Sequence, residues 1–236
     1  MNWKQVAAEL FGSTQGLQGI HEEGDFLEGD VVFEGQTVKV IGTTGHAAIG
    51  VALALRQARA ILDTVAQHPG RSILLLIDTQ GQQLRRRDEL LGIHRAMAHL
   101  GMCIDLARRR GHRVIGLVYD QALSGGFITS GLIADACYAL PEAEIRVMRL
   151  PAMARITKLA PELLQELSQS NPVFAPGVEN YVAMGGVRSV WQGDLATALR
   201  AALDNTPTVD SRAADGAARG GRQLAALVTR RVLEAA

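Results

Sequence analysis

The chain has 236 residues, of which 47% are hydrophobic, and it carries 24 basic and 24 acidic side chains. These numbers predict one globular domain spanning 1–236, and the zero formal charge gives no sign of a nucleic-acid-binding surface. The longest apolar runs are too short to cross a bilayer. With two cysteines in apolar segments and no secretory leader pattern, we expect a cytoplasmic protein with buried thiols.

The first third of the chain predicts an extension followed by a hairpin and a helix. Residues 1–30 form the N-terminal extension, with a short helix over 3–11 and a Gly- and acid-rich loop over 12–30. Alternating apolar and β-branched residues over 31–43 predict two strands around a turn. The stretch 47–67 has apolar residues at most helical positions, which predicts a largely buried helix.

The middle of the chain alternates between strands and helices. In order, it predicts a strand at 71–79, a helix at 88–110, a strand at 112–120, a helix at 124–134 and a strand at 135–140. Short connections between such elements imply parallel pairing of the three strands, so the fold class is α/β.

The C-terminal part predicts mainly helices. Helices are expected from Pro151 and from Pro161, and a Pro/Gly-rich break follows at 172–177. The small, polar segment 205–222 predicts a flexible linker before a last amphipathic helix at 223–235.

The segment "SGGF", 124–127, follows the second of the parallel strands and opens a helix. The first amides of a helix have no partner inside it and lie at its positive end, so they can donate to an oxygen that gains negative charge. Gly125 and Gly126 would let a ligand reach the backbone, and Ser124 would be the N-cap. The alternative is that both glycines serve only close packing of the helix on the sheet.

The segment "IDTQGQQLRRRDE" is a second loop of this kind. Asp78 ends a buried strand and Gly81 breaks it, so the amides of Gly81 and Gln82 would face the same edge. One donor pair on each of two neighbouring strands is the arrangement that an oxyanion hole needs. Asp78 could instead only cap the turn. The three arginines that follow, 85–87, are either a solvated face or a contact for an acidic partner or a carboxylate substrate.

Several other functions are disfavoured by the motifs. "GTTGHAAIG" has neither the phosphate-loop pattern nor the dinucleotide fingerprint. A serine nucleophile at Ser124 lacks a histidine in a recognisable motif. His94 and His99 lie five residues apart, on different helix faces, so we predict no metal site. His46, beside Gly45 in a loop, is the one histidine that merits a test for a role in chemistry.

The stretch from Leu75 to Leu140, with its "IDTQG" loop, helix, "SGGF" loop and "AD" strand, resembles the carboxyltransferase branch of the crotonase superfamily. With "GDVVFEGQTVKVIGTTGHAAIG" upstream and "AMGGVRSVW" downstream, it is similar to the gamma subunits of biotin-independent malonate decarboxylase. The resemblance covers roughly 20–200. It implies a crotonase-type (ClpP/crotonase-like) β-β-α spiral with a helical C-terminal part.

The resemblance also implies a function. The chain would pair with a homologous beta subunit, with the active site at their interface, and act with an acyl-carrier protein and an acyl-carrier-protein transferase subunit. It would decarboxylate a malonyl thioester held on the carrier's phosphopantetheine-type arm, with no biotin and no cofactor bound by this chain. The alternatives are an alpha-type carboxyltransferase subunit of a biotin-dependent acyl-CoA carboxylase and a non-catalytic partner of the beta chain.

Site residues follow by matching loops. The resemblance puts catalytic amide pairs on Gly81-Gln82 and on Gly125-Gly126. The substrate-binding residues would be Ser124, Phe127, Gln80 and His46. Two departures from the family pattern stand out, since Gln80 replaces the usual proline and "DQAL" replaces "GEGG" before Ser124. A biotin ring would therefore fit poorly.

Overall fold

The computed structural model describes residues 1–170, 177–207, 209–221 and 223–235. Its strands are β1 Ile20–Glu23, β2 Phe26–Phe33, β3 Gln36–Thr43, β4 Ala47–Ile49, β5 Ile73–Gln82, β6 Val114–Leu123, β7 Ala136–Ala139 and β8 Glu144–Arg146. Its helices are α1 Trp3–Phe11, α2 Ser13–Gln18, α3 Val51–Gln67, α4 Arg86–Leu90, α5 Ile93–Arg109, α6 Ser124–Phe127, α7 Leu150–Thr157, α8 Pro161–Ser170, α9 Val178–Ala183, α10 Leu195–Asn205, α11 Arg212–Ala218 and α12 Gln223–Glu234.

One mixed sheet organises these elements, with the strand order β1-β2-β3-β5-β6-β7. The first three strands are antiparallel, and the hairpin of β2 and β3 confirms the two strands predicted over 31–43. β3, β5, β6 and β7 are parallel, as the alternating pattern predicts. β4 pairs with the end of β5, and β8 pairs with the end of β6.

The apolar run of β5 is buried on both sides because the sheet is a middle layer. Ile73, Leu75 and Ile77 pack into a cluster with α3 and α5. Leu74 and Leu76, which point to the opposite face, join a second cluster with α1 and α10. A strand that lacks a polar face is what this two-sided burial requires.

Most of the buried apolar side chains in the first 30 residues belong to this second cluster, whereas Phe26 belongs to the first. A capping box of Asn2 and Gln5 starts α1, which buries Val6 and Leu10 and confirms the helix at 3–11. The loop predicted over 12–30 is wrong, since this stretch forms α2, β1 and the start of β2. Gly29 lies so close to the β1 backbone that a Cβ there would be 1.9 Å from the Gly19 carbonyl oxygen. The glycines therefore allow close strand pairing.

Three predicted helices differ in their details. The one expected at 47–67 begins with β4, and α3 starts only at Val51. The one expected at 88–110 is interrupted at Gly92, which has a left-handed backbone (φ +77°) and separates α4 from α5. The one expected at 124–134 is α6 followed by a wider π turn, Ile128–Leu132.

The C-terminal helices predicted from Pro151, from Pro161 and at 223–235 are present as α7, α8 and α12. Helix α10 was not predicted. Residues 172–176 of the predicted break lie outside the described residues. In the segment predicted as a linker, α11 packs on the loop after α9, where a Cβ on Gly216 would lie 2.4 Å from the Met184 carbonyl oxygen. No helix formed by the described part of the chain is long and apolar enough to span a bilayer.

Candidate functional site at the carboxyl ends of the parallel strands

The two predicted loops are the bent ends of β5 and β6. The register between these strands shifts between Ile77 and Thr79, and beyond the shift β5 pairs with β4. The end of β6 pairs in the same way with β8. Both strands thus leave the main sheet at its carboxyl edge, which is where α/β folds bind ligands.

The backbones of the two bends touch at Gly81 and Gly126. A Cβ on Gly126 would lie 2.8 Å from the Gly81 Cα, and a Cβ on Gly81 would lie 2.9 Å from the Ser124 Cβ. Gly81 also has φ +105°, a conformation that other residues rarely adopt. Close packing is therefore one reason for these glycines.

The start of α6 carries amides without a hydrogen-bond partner in the described part of the chain, one on the partly exposed Gly125 and one on the buried Gly126. The first amides of a helix have no partner inside it, and no other hydrogen bond among the described residues uses the amide of Gly125 or Gly126. Ser124 is not the N-cap, contrary to prediction. It is the first residue of the helix, with a left-handed backbone (φ +56°), and Leu123 precedes it without a side-chain cap.

The second predicted donor pair is only half available. The Gly81 amide donates to Thr79 Oγ1 (3.0 Å), so the prediction that it is a free donor is wrong. The amide of Gln83 donates to the Ile49 carbonyl (2.9 Å). Since successive amides of a strand point to opposite sides, that of Gln82 points away from β4.

The side chain of Gln82 lies against α6. Its Oε1 is buried and has no hydrogen-bond partner among the described residues. A Cβ on Gly125 would be 3.3 Å from this atom, which is closer than ordinary packing. Gln82 and Gly125 therefore face the same small region, where a ligand could satisfy both.

The predicted substrate-binding residues separate into two groups. Phe127 is 1% exposed and packs edge-to-face on Tyr181 with ring centroids 6.2 Å apart, so it belongs to the core and its predicted role is wrong. Helical position 127 points into the sheet because α6 lies flat on β5. Gln80 is exposed and Ser124 is partly exposed at the bend, where both can meet a substrate or a partner.

His46 lies in a cluster with two aspartates: Asp120, and Asp78, for which the sequence also allowed a role as a cap of the turn. Its Nε2 is 3.8 Å from Asp78 Oδ1 and 3.4 Å from Asp120 Oδ2. Its amide donates to Asp78 Oδ2 (2.9 Å). A signal for this cluster was present in the sequence, since each residue stands at or just after the end of a parallel strand.

The electrostatics of the cluster centre on Asp78. Burial raises the pKa of this carboxyl, and the Asp120 charge raises it further, while the His46 amide and imidazole and the Gln121 amide lower it. Asp78 is 3% exposed, whereas the side chains of His46 and Asp120 are about half exposed. Negative charge thus accumulates at a buried point that opens to the surface.

A cleft of about 620 Å³ lies beside β4 and reaches Gln83. Arg85 and Arg87 line it, so two of the three consecutive arginines face a concave surface. Asp88 accepts from the Val51 amide (2.9 Å) and thereby ties the α4 segment to the start of α3. Arg56 and the acids Glu23, Asp25 and Asp88 line the same cleft, so the arginines beside the bend of β5 stand in a wall of mixed charge.

Comparison with known proteins connects this geometry to a family. The family model of the malonate decarboxylase gamma subunit, MdcE, matches residues 44–236. A curated relative, the malonyl-S-ACP:biotin-protein carboxyltransferase MADD of Malonomonas rubra, is 37% identical over 123 residues, which are 51% of this chain and 42% of that protein. The match thus spans less than half of that relative.

Solved structures share the fold. A Pseudomonas malonate decarboxylase hetero-tetramer in complex with coenzyme A has a chain with a TM-score of 0.80 and 24% identity, with 99% of both chains covered. A chain of a Pseudomonas MdcD-MdcE hetero-dimer matches with a TM-score of 0.75 and 25% identity, with 98% of this chain and 97% of that chain covered. Transcarboxylase 12S matches with a TM-score of 0.70 and 18% identity, with 86% of this chain and 41% of that chain covered.

These likenesses confirm the predicted crotonase-type carboxyltransferase fold. The family model covers both strand bends, the His46 cluster and the helices that follow. The chain belongs to the family of malonate decarboxylase gamma subunits.

Proposed function

We propose that this chain and a homologous beta subunit together decarboxylate a malonyl thioester carried on the phosphopantetheine-type arm of an acyl-carrier protein. The products are the acetyl thioester and carbon dioxide. The observation that carries the proposal is the pair of free amides of Gly125 and Gly126, held at the start of α6 against the bend of β5.

The chemistry needs such donors. Loss of carbon dioxide leaves an enolate, whose oxygen must be stabilised by groups that are already in place. One fixed donor typically lowers the barrier by about 3 kcal/mol. The Gly125 and Gly126 amides supply this pair, and the Gln82 amide replaces that of Gly81 as the nearby third donor.

In this proposal the donors of this chain bind the enolate oxygen, and the beta subunit holds the carrier arm that brings the thioester to the interface. Gln80 and Ser124 contact the substrate from the bend, and Arg85 and Arg87 provide positive charge for the carrier's phosphate. The chain itself binds no cofactor and no biotin in this proposal. A further transferase subunit loads the carrier, and the assembly works in the cytoplasm.

A beta partner is supported by the surface around the bends. Leu84, Leu90 and Leu91 follow the end of β5 and are exposed, and Ile128 after α6 is exposed as well. Exposed apolar side chains beside a site commonly mark a protein interface. The MdcD-MdcE hetero-dimer is a relative in which two chains are paired.

Co-expression with a homologous beta chain tests the proposal. The pair should convert malonyl-carrier into acetyl-carrier, and each chain alone should not. Mass spectrometry of the carrier measures the conversion. Gly125→Ala in the pair should lower turnover at least tenfold, whereas Gly101→Ala, whose Cβ meets only ordinary contacts in α5, should not. Unchanged turnover in Gly125→Ala would favour the non-catalytic partner.

A second candidate is a biotin-dependent carboxyltransferase subunit, because the Malonomonas relative is a biotin-protein carboxyltransferase. The same pair supplied with carboxybiotin and acetyl-CoA separates the two. Formation of malonyl-CoA would favour this alternative over decarboxylation without biotin.

A further inference from the structure

Three segments bring possible metal ligands together at the carboxyl edge of the sheet. His46 comes from the loop between β3 and β4, Asp78 from β5 and Asp120 from β6. One imidazole nitrogen and one oxygen of each carboxylate all lie within 4.8 Å of one another. Of the His, Cys, Asp and Glu side chains in the described ranges, this is the one group of three with that spacing.

Asp78 Oδ1 indicates that something more belongs in this cluster. The atom is buried and has no hydrogen-bond partner among the described residues. The imidazole nitrogen Nε2 of His46 is 3.8 Å from this oxygen, too far for a hydrogen bond. A buried carboxylate oxygen without a partner is costly, and a cation beside it would remove that cost.

The surroundings fix the carboxylate and leave the site open on one side. The His46 amide holds Asp78 Oδ2, so Oδ1 faces the imidazole. Proteins commonly orient a metal-binding carboxylate by such a hydrogen bond to the oxygen that does not bind the metal. The side chains of His46 and Asp120 are 52% and 43% exposed, so an ion has access and water can complete its coordination.

We propose that His46, Asp78 and Asp120 form a binding site for a divalent transition-metal ion, Zn²⁺ or Mn²⁺. Two ligand atoms that are each about 2.1 Å from a tetrahedral ion lie about 3.4 Å apart. The distances of 3.4 and 3.8 Å from His46 Nε2 fit this with little movement. One imidazole with two carboxylates suits these ions better than Mg²⁺ or Ca²⁺, which prefer oxygen alone.

The ion would join the loop after β3 to the ends of β5 and β6. Asp78 directly precedes Thr79, which bonds both the Ala47 carbonyl and the Gly81 amide. The ion therefore fixes the corner from which the bend of β5 begins. The ion takes no part in the proposed decarboxylation. The sequence predicted no metal site because the three ligands come from separate segments and form no motif.

Metal binding by the full chain tests the site. After treatment with chelator and dialysis, Zn²⁺ is titrated by isothermal calorimetry and Mn²⁺ is followed by electron paramagnetic resonance. One equivalent should bind to the wild type. Asp120→Asn and His46→Asn should each weaken binding at least tenfold. Asparagine accepts the left-handed backbone of position 46 (φ +52°), so the second variant keeps the fold.

Asp25→Asn is the matched control, since Asp25 is exposed and lies near Gly45 without belonging to the cluster. It should bind the ion as the wild type does, and circular dichroism confirms that every variant is folded. Failure of both ions to bind the wild type, or equal binding by all variants, would overturn the proposal. Either result leaves the decarboxylase assay untouched, because binding is measured without substrate.

Discussion

Gly81 and Gly126 meet backbone to backbone where the two central parallel strands end, with room for no Cβ between them. The contact fixes the start of α6 on the bend of β5. Because both bends are held by one contact, the free amides of α6 keep a constant position relative to Gln82. This is the kind of preorganisation that electrostatic stabilisation of a transition state requires.

Replacing Gly126 with alanine should therefore destabilise the fold. The added Cβ would lie 2.8 Å from the Gly81 Cα, and the backbone must shift to accommodate it. Overpacking of this kind typically costs about 1–3 kcal/mol of unfolding free energy. Urea unfolding followed by circular dichroism measures the change.

Gly101→Ala is the control for this substitution. Its Cβ would meet Ile133 Cδ1 at 3.6 Å, an ordinary contact, and alanine favours the helical backbone of α5 by up to about 1 kcal/mol. The control should be as stable as the wild type or more so. A Gly126→Ala variant with wild-type stability would contradict the backbone contact.

Gly125→Ala should act on turnover instead of stability. The nearest atoms to its Cβ are Gln82 Oε1 at 3.3 Å and Met97 Cε at 3.7 Å, both at the ends of flexible side chains. The methyl group would stand beside the free amides and hinder the approach of the substrate. We expect an unfolding free energy within about 0.5 kcal/mol of the wild type.

In the assembled pair, the same variant should lower kcat by at least tenfold, a change of about 1.4 kcal/mol in the barrier. Steady-state assay of acetyl-carrier formation gives the value. A normal kcat with a raised KM would mean that the methyl group weakens the bound substrate and the transition state equally, so the amides would not stabilise the transition state beyond the bound substrate.

Sequence patterns captured the parallel core because two-sided burial of β5 and β6 leaves a plain apolar signal. They located the α6 donors because glycines after a buried strand are conspicuous. They did not predict that the Gly81 amide donates a hydrogen bond to the Thr79 hydroxyl two residues earlier. They also misassigned Phe127, since the orientation of a one-turn helix on a sheet is set by tertiary packing.

Asp120 and Asp135 show the same limit. Both stand at ends of predicted strands, Asp120 at the end of 112–120 and Asp135 at the start of 135–140. Asp135 Oδ2 accepts from the Val114 amide (2.8 Å), whereas Asp120 faces His46 from a different strand. Only the three-dimensional arrangement of β3, β5 and β6 separates these two environments.

Asp135 should be a major contributor to stability. Its Oδ1 accepts from Arg108 Nε (2.9 Å), and the two side chains are 8% and 17% exposed. Asp135→Ala leaves a largely buried guanidinium with the Ile133 carbonyl (3.0 Å) and the more distant Asp105 carboxylate (3.9 Å), so the unfolding free energy should fall by about 3 kcal/mol. Urea unfolding measures the loss.

The surface pair of Asp105 and Arg109 serves as the comparison. Their side chains lie 2.6 Å apart but are 37% and 77% exposed, so Asp105→Ala should cost less than about 1 kcal/mol. Equal losses in Asp105→Ala and Asp135→Ala would show that burial does not determine the strength of the Asp135 pair.

Asp210 should make the stability depend on pH in the acid range. Hydrogen bonds from the Arg212 side chain, at 2.8 and 2.6 Å, lower the pKa of this carboxyl from 3.8 to about 2. A carboxyl whose pKa is lower in the folded state stabilises the protein above its unfolded pKa. That contribution is lost as the pH falls from about 4 to about 2.

Asp210→Asn should therefore be less stable than the wild type at pH 7, by under about 1 kcal/mol because half of the Asp210 side chain is exposed to screening solvent. The difference in unfolding free energy between the two proteins should decrease steadily below pH 4. Urea titrations at pH 7, 5, 4 and 3 measure it. Arg212 also donates to the Leu132 carbonyl, so the pair ties α11 to the turn after α6. A difference that stays constant over this pH range would mean that the Asp210 carboxylate does not stabilise α11 through its charge.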